Sequence, residues 1–249
     1  MAHDPRLSDT NEAPAALAQE ARPDRVIAVL GMHRSGTSAL VGSLQQRGLF
    51  LGPHSKHNAY NLRGNRENPD VLLLHGAILK HSGGSWRAPP ARVEWGPDHV
   101  EHAITILGKH SWRPLWGFKD PRTLLTVDGW LRLVPDLEFV GVFRHPARVA
   151  RSLAGRPRLP VEDPVELWRL HNARLLELHR RSAFPMVCFD DDPDVLARNF
   201  NRVAELLGLA PPPEEEPFFT DDLRRLDVEP IELPPDVSAL YDELRALAL

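Results

Sequence analysis

The stretch RVIAVLGMHRSGTSALVGSL, residues 25–44, constrains the fold of this chain more than any other. Its apolar run has no polar face, as expected of a strand covered on both sides. The run stops at Gly31, a second glycine follows at Gly36, and GTSALVGSLQQRGL then continues with helical spacing. A buried strand that turns through glycines into a helix is the opening unit of a parallel α/β sheet. The same alternation recurs downstream. LWGFK, EFVGVF and PMVCF read as further strands. NPDVLLLHGAILKHSG, DHVEHAITILGKH, TLLTVDGWLRLV, PARVARSLAG, PVELWRLHNARLLELHRRS, PDVLARNFNRVAELLGL and VSALYDELRALAL read as helices. Several start signals support them, such as Asn68 followed by Pro69, and Pro146 in a helix-opening position.

No linker splits this pattern into two cores, and 249 residues suffice for one large domain. The expected organisation is a mobile leader over residues 1–24, rich in Ala, Pro and acidic residues, followed by one α/β domain over 25–249. Residues 50–113 contain no clear strand and are rich in His, Asn, Pro and Trp; they form either the wall or lid of a pocket or a plain helical insertion. A formal net charge of −4 argues against broad nucleic-acid binding, so basic residues with a function should be locally clustered. One cysteine, Cys188, excludes an internal disulfide and fits a reducing compartment. No apolar run is long enough to span a bilayer and the N-terminus lacks a secretory pattern, so the expected location is cytoplasmic. Twelve histidines invite a metal reading, but the close pairs His54/His57 and His99/His102 match no zinc spacing. They read as solvated or capping residues.

The glycine turn points backbone N–H groups at one spot, where the dipole of the following helix also favours negative charge. Ser35, Thr37 and Ser38 add hydroxyl donors, and Arg34 adds a forked cation. Gly31 and Gly36 have the spacing of a triphosphate-binding P-loop, and Ser38 holds its Ser/Thr position, but Thr37 stands where that loop has lysine. Without that lysine, γ-phosphate chemistry should be crippled. A cation three places earlier suits a smaller anion near the mouth of the loop. A second site is marked by FVGVFRHPARVARSL, residues 139–153. Arg144 stands at the C-terminal end of a strand, where α/β sheets bind ligands, and can fork onto a phosphate. Ser152, eight positions later on the next helix, can add a hydroxyl.

These two motifs together resemble those of the sulfotransferases that use 3′-phosphoadenosine 5′-phosphosulfate (PAPS). GMHRSGTSAL is similar to their 5′-phosphosulfate loop, with Arg34 in the place of their Lys or Arg before Ser-Gly-Thr. The Arg144…Ser152 pair is similar to their 3′-phosphate motif. The resemblance spans residues 25 to about 210 in motif order. It implies a P-loop-like, nucleotide-binding α/β fold and sulfuryl transfer from PAPS to a hydroxyl or amine, leaving adenosine 3′,5′-bisphosphate, without a metal. Arg34, Ser35, Gly36, Thr37, Ser38, Arg144 and Ser152 would bind the nucleotide. Lys119 in WGFKDPRT resembles the lysine that assists transfer in tyrosylprotein sulfotransferases; a solvated strand-end lysine is the plainer alternative. Glu67 in RGNRENPD stands where those enzymes and bacterial relatives carry a glutamate base. It can equally serve the N-terminus of its helix, and His57 or His33 is the fallback base. The resemblance leaves the acceptor open among carbohydrate, lipid, peptide and small molecule, with no nucleic acid.

Some residues admit two uses. Asp190 ends an apolar run as the Mg²⁺ partner of a P-loop kinase would, or simply caps the next helix. Asp120 and Arg122 form either a turn-fixing pair or part of the chemistry. Arg224 and Arg225 approach a ligand or sit on a solvated helix end. Trp86, Trp95, Trp112 and Trp116 stack on a ligand or fill the core. A small-molecule kinase and a non-catalytic nucleotide-binding relative are the competing functions.

Overall fold

The computed structural model describes residues 9–55, 64–154, 161–211 and 232–249. Four strands, β1 (Arg25–Leu30), β2 (Leu115–Lys119), β3 (Glu138–Phe143) and β4 (Met186–Cys188), form one parallel sheet in the order β2-β1-β3-β4. Each coincides with an apolar run expected to be a strand. Neighbouring residues of a strand serve opposite faces. Val26, Ala28 and Leu30 of β1 pack into one core with Trp116, Phe118, Phe139 and Phe143. Ile27 and Val29 pack into a second core with Val140, Val142 and Val187. Both faces are covered, which is why the strands carry no polar alternation.

The helices follow in chain order: α1 (Asp9–Glu20), α2 (Thr37–Gln46), α3 (Pro69–His81), α4 (Pro97–His110), α5 (Thr123–Leu133), α6 (Pro146–Ala154), α7 (Pro164–Arg181), α8 (Pro193–Leu206) and α9 (Pro235–Leu247). Leu40, Val41 and Leu44 of α2 and Phe200 and Val203 of α8 cover the second core. Residues of α3, α4, α5 and α7 cover the first. The architecture is α/β, a parallel sheet flanked by helices.

The N-terminal segment differs from the mobile leader expected of it. Residues 9–20 are helical, Ala18 is fully buried, and α1 packs against α4 and α5. Arg22 then donates to Asp136 at 2.9 Å. Pro14 and the alanine content disguise this helix in the sequence, because its order comes from packing rather than from a strong apolar stripe. Between residues 50 and 113 the described residues hold helices α3 and α4 and no strand. No described helix is long and apolar enough to cross a membrane.

The strand order positions the site. The chain leaves β1 towards β2 on one side, then returns past β1 to β3 and continues to β4 on the other. The ends of β1 and β3 therefore flank the switch point where parallel sheets open a crevice.

Candidate functional site

The loop after β1 lies in that crevice because two glycines let it. Gly31 has φ 152°, and a Cβ there would stand 2.3 Å from the carbonyl oxygen of Val142 on β3. Gly36 has φ 90°, and its Cβ would stand 2.2 Å from the Phe189 ring just past β4. The loop is thus pressed against two neighbouring strands, a closeness only glycine allows. Arg34 also has a left-handed φ of 69°. Gly36 is the N-cap of α2 and supplies no side chain to its first turn, whose N–H groups therefore keep an anion-binding character. Ser35 is fully buried and its Oγ has no hydrogen-bond partner. An enclosed hydroxyl of this kind, inside a cradle of amides, is suited to a ligand oxygen. Thr37 is buried, and Ser38 Oγ donates to the carbonyl of Asn65 at 3.3 Å.

That last contact fastens a second segment to the loop. Arg66 Nε donates to Gln45 Oε1 of α2 at 2.9 Å, and Arg66 N donates to the Ser55 carbonyl at 3.1 Å. Glu67 follows at once, and Asn68 caps α3 by accepting from Asp70 N at 2.9 Å. Glu67 Oε1 accepts from Lys119 Nζ, at the end of β2, at 2.8 Å. The Lys119 side chain is 2% exposed and that of Glu67 13%, so the ion pair is enclosed rather than solvated. The cap at the helix start belongs to Asn68, and Glu67 faces the lysine.

On the opposite rim, α6 brings Ser152 to the loop. Arg34 Nε donates to Ser152 Oγ at 2.8 Å across 118 residues of sequence. Arg144, just past β3, is buried, and its Nε donates to Asp190 Oδ1 at 3.1 Å. Asp190 Oδ2 accepts from His145 N at 2.6 Å, and an Arg148 nitrogen stands 3.3 Å from Oδ1. Asp190 therefore orients the cationic edge of β3 and is not the cap of α8, which Asp192 occupies. Trp168 of α7 braces the same edge, donating to the Arg144 carbonyl at 2.9 Å.

His33 lies between the two rims. Trp86 stacks on it with centroids 4.1 Å apart, and His171 of α7 meets it edge-on at 6.2 Å. Burial, reinforced by the nearby His171, holds the His33 pKa well below 6.5, so the ring is neutral at pH 7. Burial likewise lowers His171 to about 4. His171 Nδ1 donates to the Leu167 carbonyl at 2.9 Å, which leaves Nε2 as a bare acceptor.

Of the other candidates, Asp120 is buried and accepts from Arg122 N at 3.1 Å, the turn-fixing one of the two arrangements the sequence left open for them. Asp120 has a further partner in His75, which nothing in the local sequence marks. Trp116 is core, Trp95 packs on Gly129, Trp112 is exposed, and Trp86 alone of the four meets a loop residue of the site. His99 accepts from Gly96 N at 3.0 Å at the start of α4, a capping role. Among the described residues no three His, Cys, Asp or Glu side chains gather to hold a metal. His57, Arg224 and Arg225 lie outside the described residues.

Solved structures similar to the chain include the sulfotransferase domain of the Synechococcus PCC 7002 olefin synthase. The match covers 90% of this chain and 95% of that one, at 16% identity and a TM-score of 0.51. The chain has the fold of a sulfotransferase domain. Sulfotransferase STF1 from Mycobacterium tuberculosis H37Rv matches over 79% of this chain and 72% of its own, at 14% identity and a TM-score of 0.43. No protein-family model and no curated protein matches the sequence. In this sulfotransferase-type fold the loop after β1, Lys119 with its partner Glu67, and Arg144 all stand at the C-terminal ends of neighbouring strands.

Proposed function

We propose that the protein transfers a sulfuryl group from PAPS to a hydroxyl or amine acceptor and releases adenosine 3′,5′-bisphosphate. The contact of Arg34 with Ser152 carries this reading, because it joins two anion-binding motifs at one crevice. The buried, unpartnered Ser35 hydroxyl and the open amides at the start of α2 suit the 5′-phosphosulfate. Arg144, held by Asp190 and backed by Phe189, suits the 3′-phosphate. A phosphate entering here exchanges the carboxylate contact of Arg144 for a bidentate one.

In the reaction the acceptor oxygen forms a bond to sulfur as the bond from sulfur to the 5′-phosphate oxygen breaks. Glu67 takes the acceptor proton, and Arg34 with Lys119 stabilises the negative charge gathering on the leaving oxygen. The ammonium of Lys119 has three N–H donors and spends one on Glu67, so it can hold the base and reach the leaving oxygen together. Its burial excludes water that would weaken both interactions.

A kinase would need Asp190 for Mg²⁺. That carboxylate instead accepts from Arg144 and His145, and no lysine stands in the loop to reach a γ-phosphate. The test is to incubate the protein with PAPS and an extract of candidate acceptors and to read mass gain and adenosine 3′,5′-bisphosphate, with and without a chelator. Donor consumption that persists with the chelator supports sulfuryl transfer. Tight binding of ATP with none of PAPS would sink it.

A further inference from the structure

A buried polar network lies directly behind the Lys119–Glu67 pair. His75 of α3, Asp120 and Trp130 of α5 are fully or almost fully buried. Trp130 Nε1 donates to His75 Nε2 at 2.8 Å. An indole nitrogen only donates, so the proton of the imidazole is on Nδ1, and Nδ1 donates to Asp120 Oδ2 at 2.9 Å. Asp120 Oδ1 accepts from Arg122 N, and the Arg122 guanidinium donates to the Leu72 carbonyl of α3 at 3.0 Å. Every polar atom of the His75–Trp130 pair is used, and both carboxylate oxygens of Asp120 are engaged. Burial pushes the Asp120 carboxyl up, but its contacts with His75 and Arg122 outweigh this and hold it below the ordinary carboxylate range.

The placement of this network gives it a consequence for the chemistry. Asp120 is the residue after Lys119, and α3 begins just after Glu67. The network therefore ties together the two elements that carry the two charged groups. Apolar side chains could fill the same volume, but they would not fix the direction of the Asp120 carboxylate or the register of α3 against β2. We propose that His75 is a positioning residue: through Asp120 it locks the end of β2 to α3 and so sets the separation and burial of Lys119 and Glu67. The meaning of that pair for sulfuryl transfer rests on the functional reading above; the positioning itself does not.

The test uses the full chain with His75→Phe and His75→Asn, the latter keeping an N–H donor towards Asp120. Lys119 accessibility is read by mass spectrometry after limited acylation with acetic anhydride, relative to the half-exposed Lys109. Thiol labelling of the buried Cys188, at the far strand β4, reports global opening. In His75→Phe, Lys119 acylates about fivefold faster while Cys188 labelling stays within about twofold of wild type, the mark of local rather than global release. His75→Asn stays close to wild type. Unchanged Lys119 labelling in His75→Phe, or a rise that only parallels Cys188, overturns the proposal. Should His75→Phe fail to fold, Asp120→Leu removes the acceptor of that contact at a similar size and must give the same selective rise. PAPS turnover is followed alongside. Adenosine 3′,5′-bisphosphate formation falls at least about tenfold in His75→Phe, with the affinity for that nucleotide within about threefold. A wild type that binds no PAPS, with the selective labelling intact, would overturn the functional reading and leave the positioning role standing.

Discussion

The enclosed Lys119–Glu67 pair permits a double-mutant cycle with a magnitude and an asymmetry set by the structure. At 2.8 Å the gross attraction is ~6 kcal/mol for an effective dielectric constant of about 20, before desolvation is subtracted. Removing one partner strands the other charge, and that loss depends on how well water can reach it. Glu67→Gln leaves the Lys119 ammonium in a pocket where its side chain is 2% exposed, so it should cost about 3 kcal/mol. Lys119→Met leaves a carboxylate that is 13% exposed and partly rehydrated, for about 2 kcal/mol. The double variant buries no charge and should lose about 2 kcal/mol in all, which gives a coupling of about 3 kcal/mol. Urea unfolding at pH 7, followed by tryptophan fluorescence, measures all four corners. Repeating it in 1 M salt should change the coupling little, since an enclosed pair is weakly screened. Additivity of the two single losses to within about 0.5 kcal/mol would refute the reasoning, as would a coupling that vanishes in salt. Sulfuryl transfer should be lost in all three variants, including the double variant whose stability recovers relative to the sum.

Three further outcomes follow from the same geometry. Gly36→Ala forces a Cβ into the Phe189 ring at a φ of 90° and should cost about 2–4 kcal/mol in chemical denaturation, with loss of adenosine 3′,5′-bisphosphate binding. By calorimetry, wild type should prefer adenosine 3′,5′-bisphosphate to 5′-AMP. Arg144→Ala should erase about a hundredfold of that preference and Ser152→Ala about tenfold, while equal affinity in wild type would remove the 3′-phosphate role. His171 is held neutral with a pKa of about 4, whereas in the unfolded chain it titrates near 6.5. The unfolded state therefore binds the extra proton first, and stability that is complete above pH 6.5 is lost as pH falls towards 4. His171 accounts for about 3 kcal/mol of that loss, so the wild-type and His171→Met curves should converge on acidification; parallel curves would contradict the burial argument.

The sequence by itself determined the parallel sheet and the position of the glycine loop after its first strand. The apolar runs of β1, β2, β3 and β4 have no polar face, so they can only be covered on both sides, and the helical stretches between them supply the cover. Gly31 and Gly36 bracket a turn that needs no side chain, and that requirement is visible in one dimension. The order of the two motifs implied that they meet, but the sequence paired Ser152 with Arg144; its contact with Arg34 depends on β1 and β3 being neighbours. Asp190 shows where local reading stops. Its position at a strand end suggests a metal partner or a helix cap, and only the order β1-β3-β4 brings it beside Arg144 and His145. Helix α1 was hidden because its order comes from α4 and α5, far away in sequence. The environments of Glu67, His75 and His33 were decided by the tertiary structure alone. A charge or an imidazole acquires its chemistry from burial and from the partner it meets, and for these residues that partner arrives from another element of the chain.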